Sequence, residues 1–295
     1  WPTMLTPFTQ DNKVDYGALE ILVEWYLNNG VDGLFAVCQS SEMFFLTLEE
    51  RIEIARFVKQ AARGRVPVIA SGHVSGLMDD QVYELRAMAE TGIDALVLIS
   101  GNLAGKDDPD CIVKKNIEIL LKEIPGIPMG IYECPYPHKR IMSPELLEWC
   151  ALTGRFRFLK DTCRNLSLMK NKVEKVKDKG LKVFNANAAT FLESLKIGIS
   201  GYSGVMANFH PDLYAWMVRN WRSKPDDAER LQHFLGFAST IEYQVYPINA
   251  KYYLRLEGLN MLPASRVKDV SCFDESHRIE VEDLHFISKQ YSNNY

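Results

Sequence analysis

Short apolar runs alternate along the chain with longer amphipathic runs at helical spacing. Strands are expected at residues 2–8, 33–37, 66–70, 95–99, 128–132, 156–160, 182–185 and 201–206. Helices are expected at 16–28, 48–62, 79–90, 110–123, 144–151, 166–177, 190–196 and 211–221, one after each strand. Glu49 and Glu50 stand in the first turn of the second helix, where acids complement the helix dipole, and Ser143 is placed to cap the fifth. The runs VPVIA, ALVLI and PMGIY are apolar throughout rather than alternating. That pattern suits parallel strands covered on both faces.

Strict β–α alternation implies an α/β fold. Eight such units within about 220 residues predict a (β/α)8 TIM barrel. Periodicity does not report closure, so an open doubly wound sheet is the alternative. Beyond the eighth unit the pattern is helical only, at 226–245, 249–257 and 279–290. The expected division is a barrel over 1–223 and a helical extension over 224–295 packed on it. No Gly/Ser-rich linker separates them.

Composition removes several classes. The 295 residues are 47% hydrophobic and 24% charged with a net charge of −4, which excludes disordered, collagenous and coiled-coil chains. Mild acidity without a basic patch argues against a nucleic-acid partner. No apolar run reaches the roughly eighteen residues of a membrane helix, so no membrane partner is expected. No basic segment followed by an apolar one marks a signal peptide. Cys38, Cys111, Cys134, Cys150, Cys163 and Cys272 form no C-x-x-C pair and no zinc-ligand spacing with histidine. Scattered thiols read as reduced, so a cytoplasmic location without a metal centre is the expectation. There is no Walker loop, no G-x-G-x-x-G and no nucleophile elbow.

Barrel enzymes carry their chemistry at the C-terminal ends of the strands. Lys160 ends the apolar run that begins at Phe156. A lysine presented at the barrel mouth and partly desolvated loses charge, and a neutral amine can add to a carbonyl to form an imine. A surface lysine, or one paired with Asp161, would fit the same position. Tyr132 ends the preceding strand and is placed to pass protons to that amine, or to serve as a core tyrosine with a satisfied hydroxyl. Ser40 and Ser41 follow the second strand in a turn whose hydroxyls and N–H groups suit a carboxylate, or only the turn itself. Glu42 is either a charge partner inside the mouth or a helix-proximal acid. His73 lacks metal-spaced companions and reads as a loop or satisfied histidine.

These residues fall into a known pattern. The segments LTPF (5–8), CQSSEMFFLTLEER (38–51), IYECP (131–135), FLKDT (158–162), GYSGVMANFHP (201–211) and YPINAKYYLRLEGL (246–259) occur in order. Together they resemble the dihydrodipicolinate synthase / N-acetylneuraminate lyase family of class I, pyruvate-linked aldolases. The 28 positions between Tyr132 and Lys160 match that family's usual separation. The resemblance implies an imine between Lys160 and a 2-oxo acid, with Tyr132 transferring protons. It implies that Ser40 holds the pyruvate carboxylate, with Gln39 and Ser41 on either side. Ser203 falls where the family uses a backbone carbonyl beside the reacting groups. No cofactor is implied beyond the covalent imine, since the iminium replaces a Lewis acid. A homotetramer is expected by resemblance alone.

The chain departs from the pattern at defined points. Where dihydrodipicolinate synthases carry an arginine for the aldehyde's carboxylate, Pro137 stands, with His138, Lys139 and Arg140 just beyond. Gln39 replaces a relay threonine, and Gly101-Asn102-Leu103 replaces a segment whose tyrosine reaches a neighbouring subunit. Ala188 and Ala189 replace the acidic pair of sialate lyases, while Asn185 and Asn187 could bond the hydroxyls of another substrate. The expected activity is therefore an aldolase or lyase joining or separating pyruvate and an aldehyde. The alternatives are a dehydratase of 2-oxo-3-deoxy sugar acids on the same imine, dihydrodipicolinate synthesis proper, and a non-catalytic sugar-acid-binding barrel.

Overall fold

In the computed structural model, which describes all 295 residues, the alternating pattern becomes one sheet of seven parallel strands. The strands are β1 (Leu34–Phe35), β2 (Val68–Ala70), β3 (Ala95–Ile99), β4 (Met129–Tyr132), β5 (Phe156–Asp161), β6 (Lys182–Asn185) and β7 (Gly201–Tyr202), hydrogen-bonded in sequence order. The intervening helices are α1 (Tyr16–Asn28), α2 (Leu48–Ala62), α3 (Met78–Ala89), α4 (Ser100–Leu103), α5 (Asp110–Glu123), α6 (Pro144–Leu152), α7 (Leu166–Val176), α8 (Phe191–Lys196) and α9 (Pro211–Asn220). Their starts follow local chemistry. Asp15 caps α1 through the Ala18 N–H at 2.9 Å, and Thr47 and Glu50 form a reciprocal capping box on α2. Ser143 caps α6, as the sequence suggested.

The eighth stave departs from expectation. Residues 2–8 do not form a regular strand: a single parallel bridge joins Thr3 to Phe35. Pro2 and Pro7 have no N–H to donate to a ladder, which limits pairing there. The segment still closes the barrel. Met4 N–H donates to Phe35 O at 3.0 Å, and on the other side the Trp1 nitrogen donates to Tyr202 O at 3.1 Å. The last expected strand is likewise shortened to β7, followed by a 3-10 turn over Val205–Asn208. The fold is a (β/α)8 TIM barrel with a helical C-terminal extension.

Aromatic rings fill the barrel below its C-terminal mouth. Phe158 stacks on Phe184 at 4.8 Å between centroids and meets Phe35 edge-on at 6.2 Å; Phe35 in turn meets Tyr132 at 5.9 Å. Gly130 makes room for this layer, since a Cβ there would lie 3.0 Å from Phe158 Cβ. Any polar group directly above it is cut off from water on its lower side.

The extension comprises α10 (Pro225–Ala238), α11 (Ile248–Leu256) and α12 (Glu275–Ser292), with a 3-10 turn over Ser239–Tyr243. Leu231, Phe234, Leu254 and Leu284 belong to the same buried cluster as the barrel's Leu22 and Val97, so the extension has no separate core. Its firmest polar anchor is buried. The Lys251 Nζ of α11 donates to Glu42 Oε1 at 2.7 Å, with both side chains almost wholly inaccessible. Glu42 also accepts from Ser265 Oγ at 2.9 Å and from the Arg266 N–H at 2.6 Å. Glu42 is thus the charge partner inside the mouth. No helix is long and apolar enough to cross a membrane.

Replacing Lys251 by Met leaves the Glu42 carboxylate buried without its contacting ammonium. The expected loss is about 3 kcal/mol of unfolding free energy in denaturant titration. A loss below about 1 kcal/mol would show that the loop donors alone are sufficient.

Candidate active site

Strand register brings the two expected reacting residues together. Tyr132 of β4 pairs with Lys160 of β5, and Lys160 with Phe184 of β6. Side chains of one parallel rung point to the same face. The Lys160 Nζ lies 4.3 Å from the Tyr132 ring centroid and 5.9 Å from that of Phe35. Lys160 is only 3% exposed and has no carboxylate within ion-pair distance; Asp161 does not pair with it. Burial therefore pulls its pKa down to about 8, with Cys38, Cys134 and Glu242 acting weakly in the opposite sense. Burial pushes the Tyr132 phenol well above its ordinary range, so it stays protonated and is a donor. Its hydroxyl donates to Gln39 Oε1 at 3.4 Å, which also accepts from Cys134 Sγ at 3.3 Å.

The same two strand ends are clamped from behind. Alternation sends Glu133 and Asp161, the neighbours of Tyr132 and Lys160, to the outer face of the sheet. There the Lys172 Nζ of α7 donates to Glu133 Oε1 at 2.6 Å and to Asp161 Oδ2 at 2.5 Å, and all three side chains are fully buried. Glu133 Oε2 accepts from the Thr162 N–H at 2.8 Å, Oε1 from the Met142 N–H at 2.9 Å, and the Cys163 N–H donates to Asp161 Oδ1 at 2.8 Å. Burial opposes the ammonium, but the two carboxylates outweigh it and hold Lys172 above its ordinary range. Two acids sharing one base are not both easily charged. Burial raises Glu133 to about 7, against the pull of Lys172.

The turn Gln39–Ser41 supplies a second wall. Gln39 and Ser40 line the cavity. The Ser40 hydroxyl donates to Thr3 Oγ1 at 3.1 Å, and the Tyr246 hydroxyl of the extension lies beside it. Ser41 does not reach the cavity. Its Oγ accepts from the Cys38 N–H at 2.6 Å and donates to Cys38 O at 2.8 Å, so it holds the turn closed. Asn187 lines the cavity, but Asn185 is turned into structure: its amide donates to Thr190 Oγ1 at 3.1 Å and Ser194 Oγ at 3.0 Å. Ser203 is buried outside the cavity, with a hydroxyl that has no partner in the chain, while Gly204 forms the wall. A Cβ at Gly204 would collide with the Tyr202 hydroxyl and Ala186 O.

These walls enclose about 660 Å³ above Lys160. Phe44 and Tyr136 form an edge-on aromatic pair at 4.5 Å on one side. Sequence reasoning did not find Arg164, Glu242, Tyr243 or Tyr246, which complete the mouth. Three of them come from the extension, whose helical pattern carries no signal of facing a site. Arg164 follows Lys160 by four residues and was findable as a cation in a strand-end loop. Of the cations beyond Pro137, Lys139 lines the cavity; Arg140 is turned away, donating to Gly105 O at 2.6 Å and Asp108 O at 2.7 Å. His73 is a satisfied core histidine: its Nε2 accepts from the Ile99 N–H at 2.6 Å and its Nδ1 meets Gln81 Oε1 at 3.0 Å. Burial lowers its pKa to about 4, which keeps it neutral. No group of three or more His, Cys, Asp or Glu side chains is arranged to hold a metal ion.

By class the protein is a (β/α)8-barrel enzyme with its cavity at the C-terminal face. The chain belongs to the dihydrodipicolinate synthetase family, whose model matches residues 1–284 and whose members are aldolase-like lyases. It is 26% identical over 286 residues to the 4-hydroxy-tetrahydrodipicolinate synthase of Haloarcula marismortui, covering 96% of this chain and 91% of that one. To the synthase of Pseudomonas aeruginosa it is 28% identical over 220 residues, 73% of this chain and 74% of the other. Among solved structures it superposes with a TM-score of 0.87 on YagE of E. coli, a prophage protein of the dihydrodipicolinic acid synthase family in complex with pyruvate. That match has 20% identity and covers 98% and 97% of the two chains. The Cyanidioschyzon merolae synthase with lysine bound also gives 0.87, at 22% identity, with 98% and 97% covered.

The buried triad has a measurable titration. Glu133 holds its proton up to about 7 in the folded state, against 4.5 ordinarily, so between those values the folded chain binds a proton that the unfolded chain has lost. This contribution to stability is complete at low pH and is lost as pH rises through about 7. Thermal unfolding across that range should show the decline in the wild type and a smaller one in Glu133→Gln, which has no proton to lose. Equal slopes would show that Glu133 titrates ordinarily.

Proposed function

We propose that the protein is an imine-forming lyase that makes or breaks a carbon–carbon bond between pyruvate and an aldehyde. The observation that carries this reading is the Lys160 amine: buried, without a counter-ion, lowered to about 8, and 4.3 Å from the Tyr132 ring. Such an amine is substantially neutral near pH 8 and can attack a carbonyl carbon.

In the cleavage direction, the Lys160 nitrogen adds to C2 of a 4-hydroxy-2-oxo acid. Tyr132 protonates the oxygen of the resulting carbinolamine, water leaves, and an iminium forms. The C4 hydroxyl gives up its proton to the tyrosine oxygen, the C3–C4 pair flows into the iminium, and the aldehyde departs. The enamine left behind takes a proton at C3, and water hydrolyses the imine to pyruvate and free Lys160. Ser40 is assigned to the C1 carboxylate. The turn closed by Ser41 holds Ser40 and Gln39 in place, and Asn185 positions Asn187 through the bond from the Asn187 N–H to its Oδ1 at 2.8 Å. Ser203 is assigned its backbone carbonyl. The assembly of several copies into a homotetramer is proposed on family grounds alone.

Condensation with aspartate semialdehyde fits this cavity less well. Pro137 offers no cation, Leu103 is wholly buried rather than extended outward, and the amide of Gln39 cannot hand on a proton as a hydroxyl can. Tyr132 therefore exchanges protons with bound substrate directly.

Borohydride reduction in the presence of pyruvate is expected to attach a three-carbon adduct at Lys160, found by peptide mass mapping. Its rate should rise with pH up to about 8 and then level, following the neutral amine. A rate that keeps climbing towards the 10.5 of an ordinary lysine, or no adduct, contradicts the reading. In Tyr132→Phe, adducts should form at the same lysine but more slowly, and turnover of a 4-hydroxy-2-oxo acid should fall by roughly a hundredfold or more.

A further inference from the structure

At about 660 Å³ the cavity is far larger than a three-carbon acid needs. Lys160, Tyr132, Gln39 and Ser40 account for its floor. The walls above them decide which aldehyde fits.

Those walls are largely aromatic. Phe44, from the 3-10 turn Met43–Phe45, meets Tyr136 of the loop after β4 edge-on at 4.5 Å, and Tyr243 of the extension lines the same cavity. Phe45 and Val267 line it too. Phe45, Tyr136 and Tyr243 are 52%, 54% and 67% exposed. A single exposed ring needs no explanation, but three at the rim of one cavity mark a surface that gains by being covered. Tyr243 is fixed in place: its hydroxyl accepts from Arg164 Nη1 at 2.9 Å, and the guanidinium carbon stands 5.7 Å from its ring centroid. Arg164 itself adopts φ 57°, a left-handed conformation that favours glycine, and its side chain is what reaches Tyr243.

The polar groups around these rings are mostly committed within the chain. Glu42 is paired with Lys251, and the Lys139 Nζ donates to Thr162 O at 2.5 Å. The Thr162 hydroxyl donates to Glu133 O at 2.7 Å. Asn187 Oδ1 accepts from the Thr190 N–H at 3.2 Å and from the Thr190 hydroxyl at 3.1 Å. Arg164 divides its donors between Tyr243 and a 3.5 Å contact with Glu242. A polyhydroxylated chain would leave water for few open partners here, and each unmatched hydroxyl costs more than it gains. A flat apolar group gains by leaving water and finds rings to meet.

We propose that Phe44, Tyr136 and Tyr243 form an aryl subsite, so that the aldehyde joined to or released from pyruvate carries an aromatic ring on its carbonyl carbon. The inference rests on the imine reading. In the cleavage direction the C3–C4 bond breaks, its electron pair enters the iminium, the C4 hydroxyl loses its proton to Tyr132, and an aromatic aldehyde departs. The ring takes no part in the bond changes and is held by the three side chains.

The test measures pyruvate release from 4-hydroxy-2-oxo-4-phenylbutanoate and from 4,5,6-trihydroxy-2-oxohexanoate, each supplied with both configurations at C4. The two acids are alike from C1 to C4, so their difference reads the upper walls. The expected result is a kcat/KM roughly tenfold or more higher for the phenyl compound. In Phe44→Ser and in Tyr136→Ser this ratio should fall severalfold, through KM more than kcat, because the rings contact ground state and transition state alike. Tyr136→Phe should keep it. The ratio is taken within each variant, so a general loss of reactivity or of folded protein cancels. A ratio of one or below in the wild type, or a ratio unchanged in both serine variants, overturns the aryl subsite. Borohydride trapping of pyruvate separates the two readings. A pyruvate adduct at Lys160 with no phenyl preference, or with neither acid cleaved, overturns the subsite alone, and no adduct overturns the imine reading and the subsite with it.

Discussion

A buried ammonium, that of Lys172, sets the geometry on which the cavity depends. It stands between Glu133 and Asp161 at 2.6 and 2.5 Å, on the outer side of two strands whose inner side carries Tyr132 and Lys160. The pleat makes these two arrangements obligatory complements: if one residue of each strand end faces the cavity, the next faces α7. Removing one member of such a cluster is costly because the others are left charged without water. Any displacement of β4 relative to β5 would have to break these bonds. The Tyr132–Lys160 pair is therefore held in register by ionic contacts that never touch substrate. An apolar cluster would stabilise the strand ends as well, but would slide more easily than three groups joined by directional bonds.

The extension is part of the cavity rather than an appendage. Glu242, Tyr243, Tyr246 and Val267 come from it and line the space above Lys160. Their position depends on the Glu42–Lys251 pair, whose acid sits just past the Ser40 turn. One carboxylate thus couples the turn assigned to the C1 carboxylate with the helix that brings Tyr246 beside it. Glu42 itself adopts φ 62°, so it and Arg164 are two non-glycine residues at the cavity held in the left-handed region. In each case the side chain makes contacts that a glycine could not.

Much of this was legible from the sequence, and the limits have physical reasons. Continuous apolar runs such as ALVLI announce parallel strands because both faces are covered, and β3 is observed over the expected residues. Residues 2–8 have the apolar character of a strand, but Pro2 and Pro7 lack the donors that a ladder needs, and only the Thr3–Phe35 bridge forms. Lys160 and Tyr132 were readable because a polar residue ending an apolar strand has few places to go but the barrel mouth. The alternative of Lys160 paired with Asp161 could have been dismissed from the pleat alone, since strand neighbours face opposite ways. What could not be read was the partner Asp161 does have. Lys172 lies a strand end and a loop away, on the buried face of α7 with Met169 and Val176, but which strand ends that face covers is set by packing rather than by local pattern. Glu242 was hidden for a like reason: its meeting with Arg164 is set by packing between the barrel and the extension.

The chemistry of the cavity follows from a division of labour between burial and charge. An amine of lowered pKa requires a dry environment without a carboxylate nearby, and the aromatic layer of Phe35, Phe158 and Phe184 supplies it. An anionic substrate is favoured by nearby cations, but a cation beside Lys160 would lower its pKa still further. The chain separates the two demands in space. The acids next to Tyr132 and Lys160 are turned outward onto Lys172. The remaining cations, Lys139 and Arg164, stand on the loops that follow β4 and β5, where solvent shares the cost of keeping them charged. The same two strands thereby carry the reacting pair on their inner face and its ionic clamp on their outer face.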